Sequence, residues 1–516
     1  MNEMGNIRFG TLTILRLQYL GHHIHRFTHS WMTKHVYTKY WYWRLRNECW
    51  PFMRRNTAKT MRTFSSRPTF LLLTFFRPDD TLDHFKSTLD SVQAQHYPNW
   101  EWVIFCGSGQ AERIRQLIVN VDRNQHIRLI LTDGPEAVAL PDLLRDVSAE
   151  FIGFLGANDT LAPFALFEIC RAHNRDAAID LFFSDEDHLD EKNRRTDPWF
   201  KQEYSLYNLR SVASLNAFLV LRKALLQEIL SNEIDQPNWA SGLNRDPNLF
   251  DLSLRAGERR PRIGRIPTIL YHNRRQRKLS QNEDRLFELD EAETQALRSH
   301  LKRQKIAAEV LPNNYPDTFR VRYAVQGQPL VSIIIPTRDQ VASLQRCISS
   351  IRDKTTYPNY EILIADDNGQ LPETLAWFAA LEADPDFRGE VVRWDKPSNA
   401  AWIYNVTARH ARGEFLLFLS DTMEVISPDW IEELLGLAQQ PDVGAVGGKL
   451  FTPAGKLQHA GTAWEHLRQL IFFNPAEGMD GTHPGYYGFT RKIHSVRVLS
   501  GGCLMAERAR FEQVGG

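Results

Sequence analysis

Short unbroken apolar runs recur along this chain and alternate with stretches of mixed polarity. Thr69–Phe75 is such a run, without period-2 alternation, the pattern of a parallel strand covered on both faces. A helix-like stretch, Thr81–Gln95, follows it. Then come a strand over Glu101–Phe105, a helix near Ala111–Val119 and strands at His126–Leu131 and Phe151–Leu155. A second series opens at Pro329–Pro336, repeats the strand, helix, strand order through Glu414–Leu419, and reaches a helix-like Glu507–Val514. Helices alternating with parallel-type strands predict a doubly wound α/β sheet in each series. Residues 275–328 read as a polar connector whose centre, Leu289–Lys305, has the character of a charged helix, broken by Pro312–Pro316.

One segment occurs in both series. Tyr97-Pro98-Asn99-Trp100 leads into Glu101-Trp102-Val103-Ile104-Phe105, and Tyr357-Pro358-Asn359-Tyr360 leads into Glu361-Ile362-Leu363-Ile364-Ala365, 260 positions later. Beyond the strand the two diverge. The second continues Asp366-Asp367-Asn368-Gly369-Gln370, and the first Cys106-Gly107-Ser108-Gly109-Gln110. A repeat this long implies two domains, since solenoid units are far shorter. Acids at the carboxyl end of such a strand sit where open α/β sheets bind ligands.

Composition adds little about partners until it is resolved along the chain. The 516 residues leave room for two or three domains, and 43% hydrophobic with 24% charged residues is ordinary for a globular protein. Lys plus Arg and Asp plus Glu both total 62, yet through Arg67 twelve basic residues face only Glu3 and Glu48. Residues 1–66 therefore form a basic leader in which Trp31, Tyr37, Tyr40, Trp41, Tyr42, Trp43, Trp50 and Phe52 are interleaved with cations. Such a leader suits an anionic membrane surface; it equally suits a helix packed on the domain that follows. Cys49, Cys106, Cys170, Cys347 and Cys503 show neither zinc spacing nor a disulfide framework and read as buried thiols in a reducing compartment. No run reaches the roughly 18 apolar residues of a membrane span.

Seven separated segments of the second series together resemble family 2 glycosyltransferases, which have the nucleotide-sugar-binding GT-A fold. They are Val331–Thr337, Tyr357–Gly369, Ala411–Phe415, Ile426–Trp430, Val443–Gly447, Gln458–Gly461 and Ser500–Leu504. The resemblance extends over about residues 68–516 and implies a fold class: two tandem GT-A α/β domains. The leader would be 1–66, a degenerate transferase-like domain 67–274, the helical connector 275–328 and the family 2 domain 329–516. Tandem versions occur among bacterial enzymes that build surface polysaccharide such as O-antigen. The implied reaction moves a sugar, with inversion, from a nucleotide diphosphate-sugar of UDP or dTDP type to a glycan or lipid-linked glycan. Its place would be the cytoplasm, peripheral on the inner membrane.

In such a site a divalent cation, Mg²⁺ or Mn²⁺, neutralises the charge developing on the leaving diphosphate, and hard cations favour carboxylate oxygens. Asp367, with Asp366 beside it, matches the family's nucleoside-binding acid; Thr337, Asn399 and Asn405 match positions lining the donor site. The alternatives from the residues themselves are a strand-end turn capped by Asp and Asn and, for the asparagines, helix capping. Ser420-Asp421-Thr422 falls on the metal signature, with Thr422 where an Asp is expected and Asp421 one place early; either Asp421 takes over as ligand with a small backbone shift, or metal binding is weak, or this copy is impaired, and Asp421 is a surface loop acid in the plainer reading. His459 is a second candidate for the metal or diphosphate, or a buried structural histidine. The general base is expected beyond Gly516, which suggests a truncated or fragmentary chain.

The first series departs from the pattern at three stations. Cys106-Gly107 stands for the nucleoside acid, Gly156-Ala157-Asn158 for the metal motif with only Asp159 beyond it, and Leu249 for the base. Ser184-Asp185-Glu186-Asp187 and Leu270-Tyr271-His272 survive; the acidic cluster is expected as a solvated charged turn, with a ligand site as the alternative. The competing reading is a non-catalytic glycan- or nucleotide-binding scaffold. Nucleic-acid binding through the leader is opposed by the near-neutral total charge and the lack of an RNA-binding motif.

Overall fold

The computed structural model describes residues 40–45, 48, 57–119, 126–133, 140–213, 215, 218–231, 248–274, 291–315, 318–394, 399–466 and 470–516. The chain divides into two compact units, Met1–Gln281 with Glu288–His300, and Asn282–Phe287 with Leu301–Gly516.

In the first unit the apolar runs become β1 (Phe70–Phe75), β2 (Trp100–Cys106), β3 (Ile127–Leu131) and β4 (Phe151–Phe154). They are followed by β5 (Thr160–Leu161), β6 (Leu181–Leu189), β7 (Arg195–Trp199), β8 (Val220–Arg222) and β9 (Ile263–Asn273). The strands lie in the order β3-β2-β1-β4-β8-β6-β9-β5, with β7 paired to β6. β1 is parallel to both β2 and β4, and β8 is antiparallel to β4. The predicted first helix forms as Leu82–Gln93. Thr81 caps it by accepting from the His84 N–H, and Phe85, Leu89 and Val92 are buried on one face. The next helix starts at Ser108, earlier than expected from its apolar positions.

The second unit contains β10 (Ala308–Pro312), β11 (Phe319–Tyr323), β12 (Val331–Thr337), β13 (Tyr360–Asp367), β14 (Gly389–Trp394) and β15 (Phe415–Leu419). Further along lie β16 (Val446–Gly447), β17 (Leu450–Phe451), β18 (Leu457–His459), β19 (Ala463–His466), β20 (Leu470–Phe473) and β21 (Cys503–Glu507). Its main sheet runs β14-β13-β12-β15-β21-β16. Here too the first strand of the main sheet in chain order, β12, is parallel to the second, β13, and the fourth, β15, and an antiparallel strand, β21, lies beside the fourth.

The Tyr-Pro-Asn segment builds the same corner in each unit. The Tyr97 hydroxyl donates to Pro68 O (2.7 Å), and that of Tyr357 to Pro329 O (2.6 Å). Asn99 Nδ2 donates to Arg67 O and Asn359 Nδ2 to Gln328 O. The phenol and amide satisfy carbonyls just ahead of the first strand, which fixes where the second strand begins. The resulting registers match: Phe70 faces Trp100, and Val331 faces Tyr360.

Two stretches differ from their sequence reading, and a third follows one of the two readings given for it. The acidic cluster is not a solvated turn. Ser184–Asp187 lies inside β6, with Asp185, Glu186 and Asp187 all buried. Burial is possible because each acid meets a cation: Asp185 with Arg265 (3.1 Å), Glu186 with Lys201 (2.7 Å), and Asp187 with Arg195 (2.5 Å), its other oxygen lying 2.6 Å from His272 Nδ1. The described part of the leader packs onto this cluster. The buried Tyr40 hydroxyl donates to Asp187, and Arg195 grips Glu48 through two nitrogens at 2.7 Å. The rest of the leader lies outside the described residues. Finally, the connector holds more than the helix Glu291–Arg303. The alternation Phe319-Arg320-Val321-Arg322-Tyr323 forms β11, paired antiparallel with β10; it buries its apolar residues and sends Arg320 and Arg322 to Glu433.

Candidate functional site

The sequence candidates gather at the carboxyl ends of the parallel strands of the second unit. Asp366 and Asp367 are the last two residues of β13. Alternation puts them on opposite faces. Ile362 and Ile364, in phase with Asp366, belong to one apolar cluster; Leu363, in phase with Asp367, belongs to the other, with Ala408 and Ala411. Asp366 is buried, and its Oδ1 accepts from the Gly369 N–H at 2.8 Å. It thus makes the strand-end turn that was the alternative reading. Burial raises its pKa, partly opposed by that N–H. Asp367 is half-buried on the other face.

A residue not singled out from sequence organises this corner. Asp339 follows β12 with φ 54°, and its Oδ1 accepts from the Leu371 N–H and the Thr374 hydroxyl, both at 3.0 Å. It ties the end of β12 to the start of the helix Pro372–Glu382. The N–H groups of Leu371 and Gln370 hold its carboxyl below the ordinary range. An Asp two residues past a buried strand was the available signal.

The chain order of the sheet reverses between β12 and β15, the switch point where such sheets open a crevice. Thr337 and Asp421 meet across it: the Thr337 hydroxyl donates to Asp421 Oδ2 at 2.8 Å. Thr337, predicted to line the donor site, is buried and acts on Asp421. The other carboxylate oxygen of Asp421 accepts no hydrogen bond among the described residues. Thr422, exposed, shares its hydroxyl with Ser420 Oγ at 2.9 Å, and Ser420 N–H is held by Gly502 O.

The remaining candidates are less central. Asn399 caps the helix Ala400–Ala408 by accepting from the Trp402 N–H at 2.9 Å. Asn405 lies one and a half turns on, with Gly516 against its amide. His459 is buried with both ring nitrogens engaged: the Gly461 N–H approaches Nδ1, and Nε2 meets the Thr462 hydroxyl (3.0 Å), which donates to Asn474 Oδ1. Burial lowers its pKa. A ligand role for His459 would break one of these bonds. Among the described residues no cluster of three or more His, Cys, Asp or Glu could hold a metal ion. Asp421, with its open oxygen, fits a hard cation whose other ligands come from a bound diphosphate; Thr422 adds at most a weak one.

Matched through the strand registers, the first unit has Phe76 where the second has Thr337, Cys106 for Asp366, Gly107 for Asp367 and Ala157 for Asp421. Asp159 is bound inward, accepting from the Tyr271 hydroxyl (2.5 Å) and the Arg274 N–H (2.7 Å). Leu249 opens the helix Leu249–Glu258, which Asn248 caps, and Asp251 pairs with Arg255. The four described cysteines are free and buried. Among the described residues no helix is long and apolar enough to cross a membrane.

Residues 332–513 match the family model for Glycosyl transferase family 2. The chain is 36% identical over 460 residues to the O-antigen biosynthesis protein RfbC of Myxococcus xanthus, covering 88% of this chain and 35% of that protein. It is 29% identical over 456 residues to the uncharacterized protein y4gI of Sinorhizobium fredii, covering 86% of this chain and 48% of that one. It thus spans between a third and a half of the length of these curated relatives. Among solved structures, S. aureus TarS 1–349 in complex with UDP-GlcNAc matches at 16% identity and TM-score 0.33, covering 45% of this chain and 66% of that one. A mannosyltransferase from Pyrobaculum calidifontis matches at 19% identity and TM-score 0.28, covering 37% of this chain and 48% of the other.

Proposed function

We propose that the second unit binds a nucleotide diphosphate-sugar of UDP or dTDP type and transfers its sugar, with inversion, to a glycan or lipid-linked glycan in the synthesis of a cell-surface polysaccharide. The observation that carries this is the meeting of β12, β13 and β15 at the switch point. There Asp366 and Asp367 end one strand, and Thr337 holds Asp421 just past another. Asp367 receives the nucleoside. Asp421 presents a carboxylate oxygen to Mg²⁺ or Mn²⁺, which supplies the positive charge for the departing diphosphate. Asn399 and Asn405 line the helix above. The name of the Myxococcus relative, which places that protein in O-antigen biosynthesis, supports the surface-polysaccharide class.

In this reading 67–274 is a non-catalytic copy, and the basic leader rests on the anionic inner face of the membrane. Trp41, Tyr42 and Leu45 support the latter, being exposed on the helical turn whose Tyr40 is buried. Calorimetric titration of UDP, dTDP and GDP with and without Mn²⁺ tests the donor site. Binding of one nucleotide, strengthened by Mn²⁺ and abolished in Asp367→Ala, is expected. No binding by a folded chain would favour the scaffold reading, whose motive is Thr422 at the metal station.

A further inference from the structure

Two indoles stand together beside Asp367. Trp394 is the last residue of β14 and the register partner of Asp367, so it lies next to that acid at the sheet's carboxyl edge. Trp402 belongs to the first turn of the helix Ala400–Ala408, whose cap Asn399 accepts its N–H. The rings meet edge to face, with centroids 5.7 Å apart and planes at 60°. Trp402 keeps 46% of its surface exposed. A single exposed aromatic needs no explanation. This one is braced by a second indole, fixed by a helix cap, and placed at the acid assigned to the nucleoside.

The first unit provides a control. Its matched position for Trp394 is Thr132, opposite Gly107 in the continuation of the β2–β3 register, which ends at Cys106 and Leu131. The acid and the aromatic are absent together from the unit that lacks the site. A ring serving only to pack the sheet edge would have no reason to follow the acid.

We infer that Trp402, backed by Trp394, is the surface on which the donor's nucleobase stacks while Asp367 engages the same nucleoside. The inference rests on the reading of the second unit as a donor site, and it assigns the aromatic half of nucleotide recognition. Every base offers a flat π-face, so such a surface gives affinity without choosing among bases.

The test is calorimetry on the full chain with Mn²⁺, using UDP, dTDP and GDP, and inorganic pyrophosphate as a base-free probe. For a nucleotide that the parent chain binds, Trp402→Ala should weaken binding about tenfold, within the range for one lost base–aromatic stack. Trp402→Phe should recover most of that loss, and pyrophosphate affinity should be unchanged. Unaltered nucleotide affinity in Trp402→Ala overturns the inference, while the donor-site reading stands if Asp367→Ala still abolishes binding. Equal loss of nucleotide and pyrophosphate also overturns it, because that reports a distorted site. Failure of the parent chain to bind any nucleotide removes the donor site and this inference with it.

Discussion

At the carboxyl ends of β13 and β15 the second unit presents Asp366, Asp367 and Asp421; at the matching ends of β2 and β4 the first presents Cys106, Gly107 and Ala157. Both sheets keep the same strand order through their first four parallel strands and the same Tyr-Pro-Asn corner. What keeps the sheet is therefore separable from what equips its edge. Apolar strands and a corner that satisfies backbone carbonyls maintain the layers, while the strand ends differ: Cys106 and Ala157 are buried in the core of the first unit, whereas Asp367 and Asp421 are only partly buried in the second. The first unit has its charge inside β6, where Asp185, Glu186 and Asp187 are paired and buried and the leader's Tyr40 and Glu48 join the network. Acids in one unit face a prospective ligand; in the other they face their own chain.

The strongest test of this contrast is Asp187→Ala. It leaves Arg195 and His272 buried without their shared acid, and stability should fall by about 3–5 kcal/mol, read from urea unfolding, with nucleotide affinity of the surviving folded fraction unchanged. The same residue predicts a pH dependence. Burial opposes its charge, but His272 and Arg195 hold the folded carboxyl below its ordinary value. Its stabilising contribution is then complete above the unfolded carboxylate range and lost as pH falls through the lower folded value. Urea midpoints that drop well above pH 4 on account of this residue would contradict it.

Next in size, Asp367→Ala should weaken nucleotide binding by about 100-fold or more, whereas Gly107→Asp in the first unit should not create a second site, because Ala157 and Thr132 remain. Appearance of two binding events in Gly107→Asp would erase the distinction between the units. A smaller effect is expected at the switch point. Thr337→Val removes the hydrogen bond to Asp421 and should cost about tenfold in Mn²⁺-supported affinity, while Thr422→Asp should raise it; no change in either would separate Asp421 from the metal. The smallest effect belongs to Asp366→Asn, which keeps an acceptor for the Gly369 N–H and removes a charge that burial disfavours. Stability should change by less than about 1 kcal/mol, toward stabilisation.

Much of the strand framework was legible because fully covered parallel strands are written as unbroken apolar runs: Phe70–Phe75 and Phe415–Leu419 lie within the predicted stretches, and Val331–Thr337 runs one residue past Pro329–Pro336. The alternation in Phe319–Tyr323 is a strand pattern set inside an otherwise polar segment. The candidate acids could be found because they follow a strand directly. Asp339 also follows a strand closely, but its role could not be read, since its partners Leu371 and Thr374 lie some thirty residues away and no local pattern marks them.

Reading along the chain was enough to find most of the long parallel strands, the Tyr-Pro-Asn segment common to both units, and the acids that end β13 but not β2. All of these depend on neighbours in the chain: apolar runs, turn residues and direct succession. Contacts between distant segments are what bury Asp185–Asp187, bring Thr337 onto Asp421, and set Trp402 against Trp394 beside Asp367. A charge can enter a core only when its counter-charge arrives from another strand. Arg195, Arg265 and His272 come from β7 and β9, and no reading of the Asp-Glu-Asp triplet alone contains them.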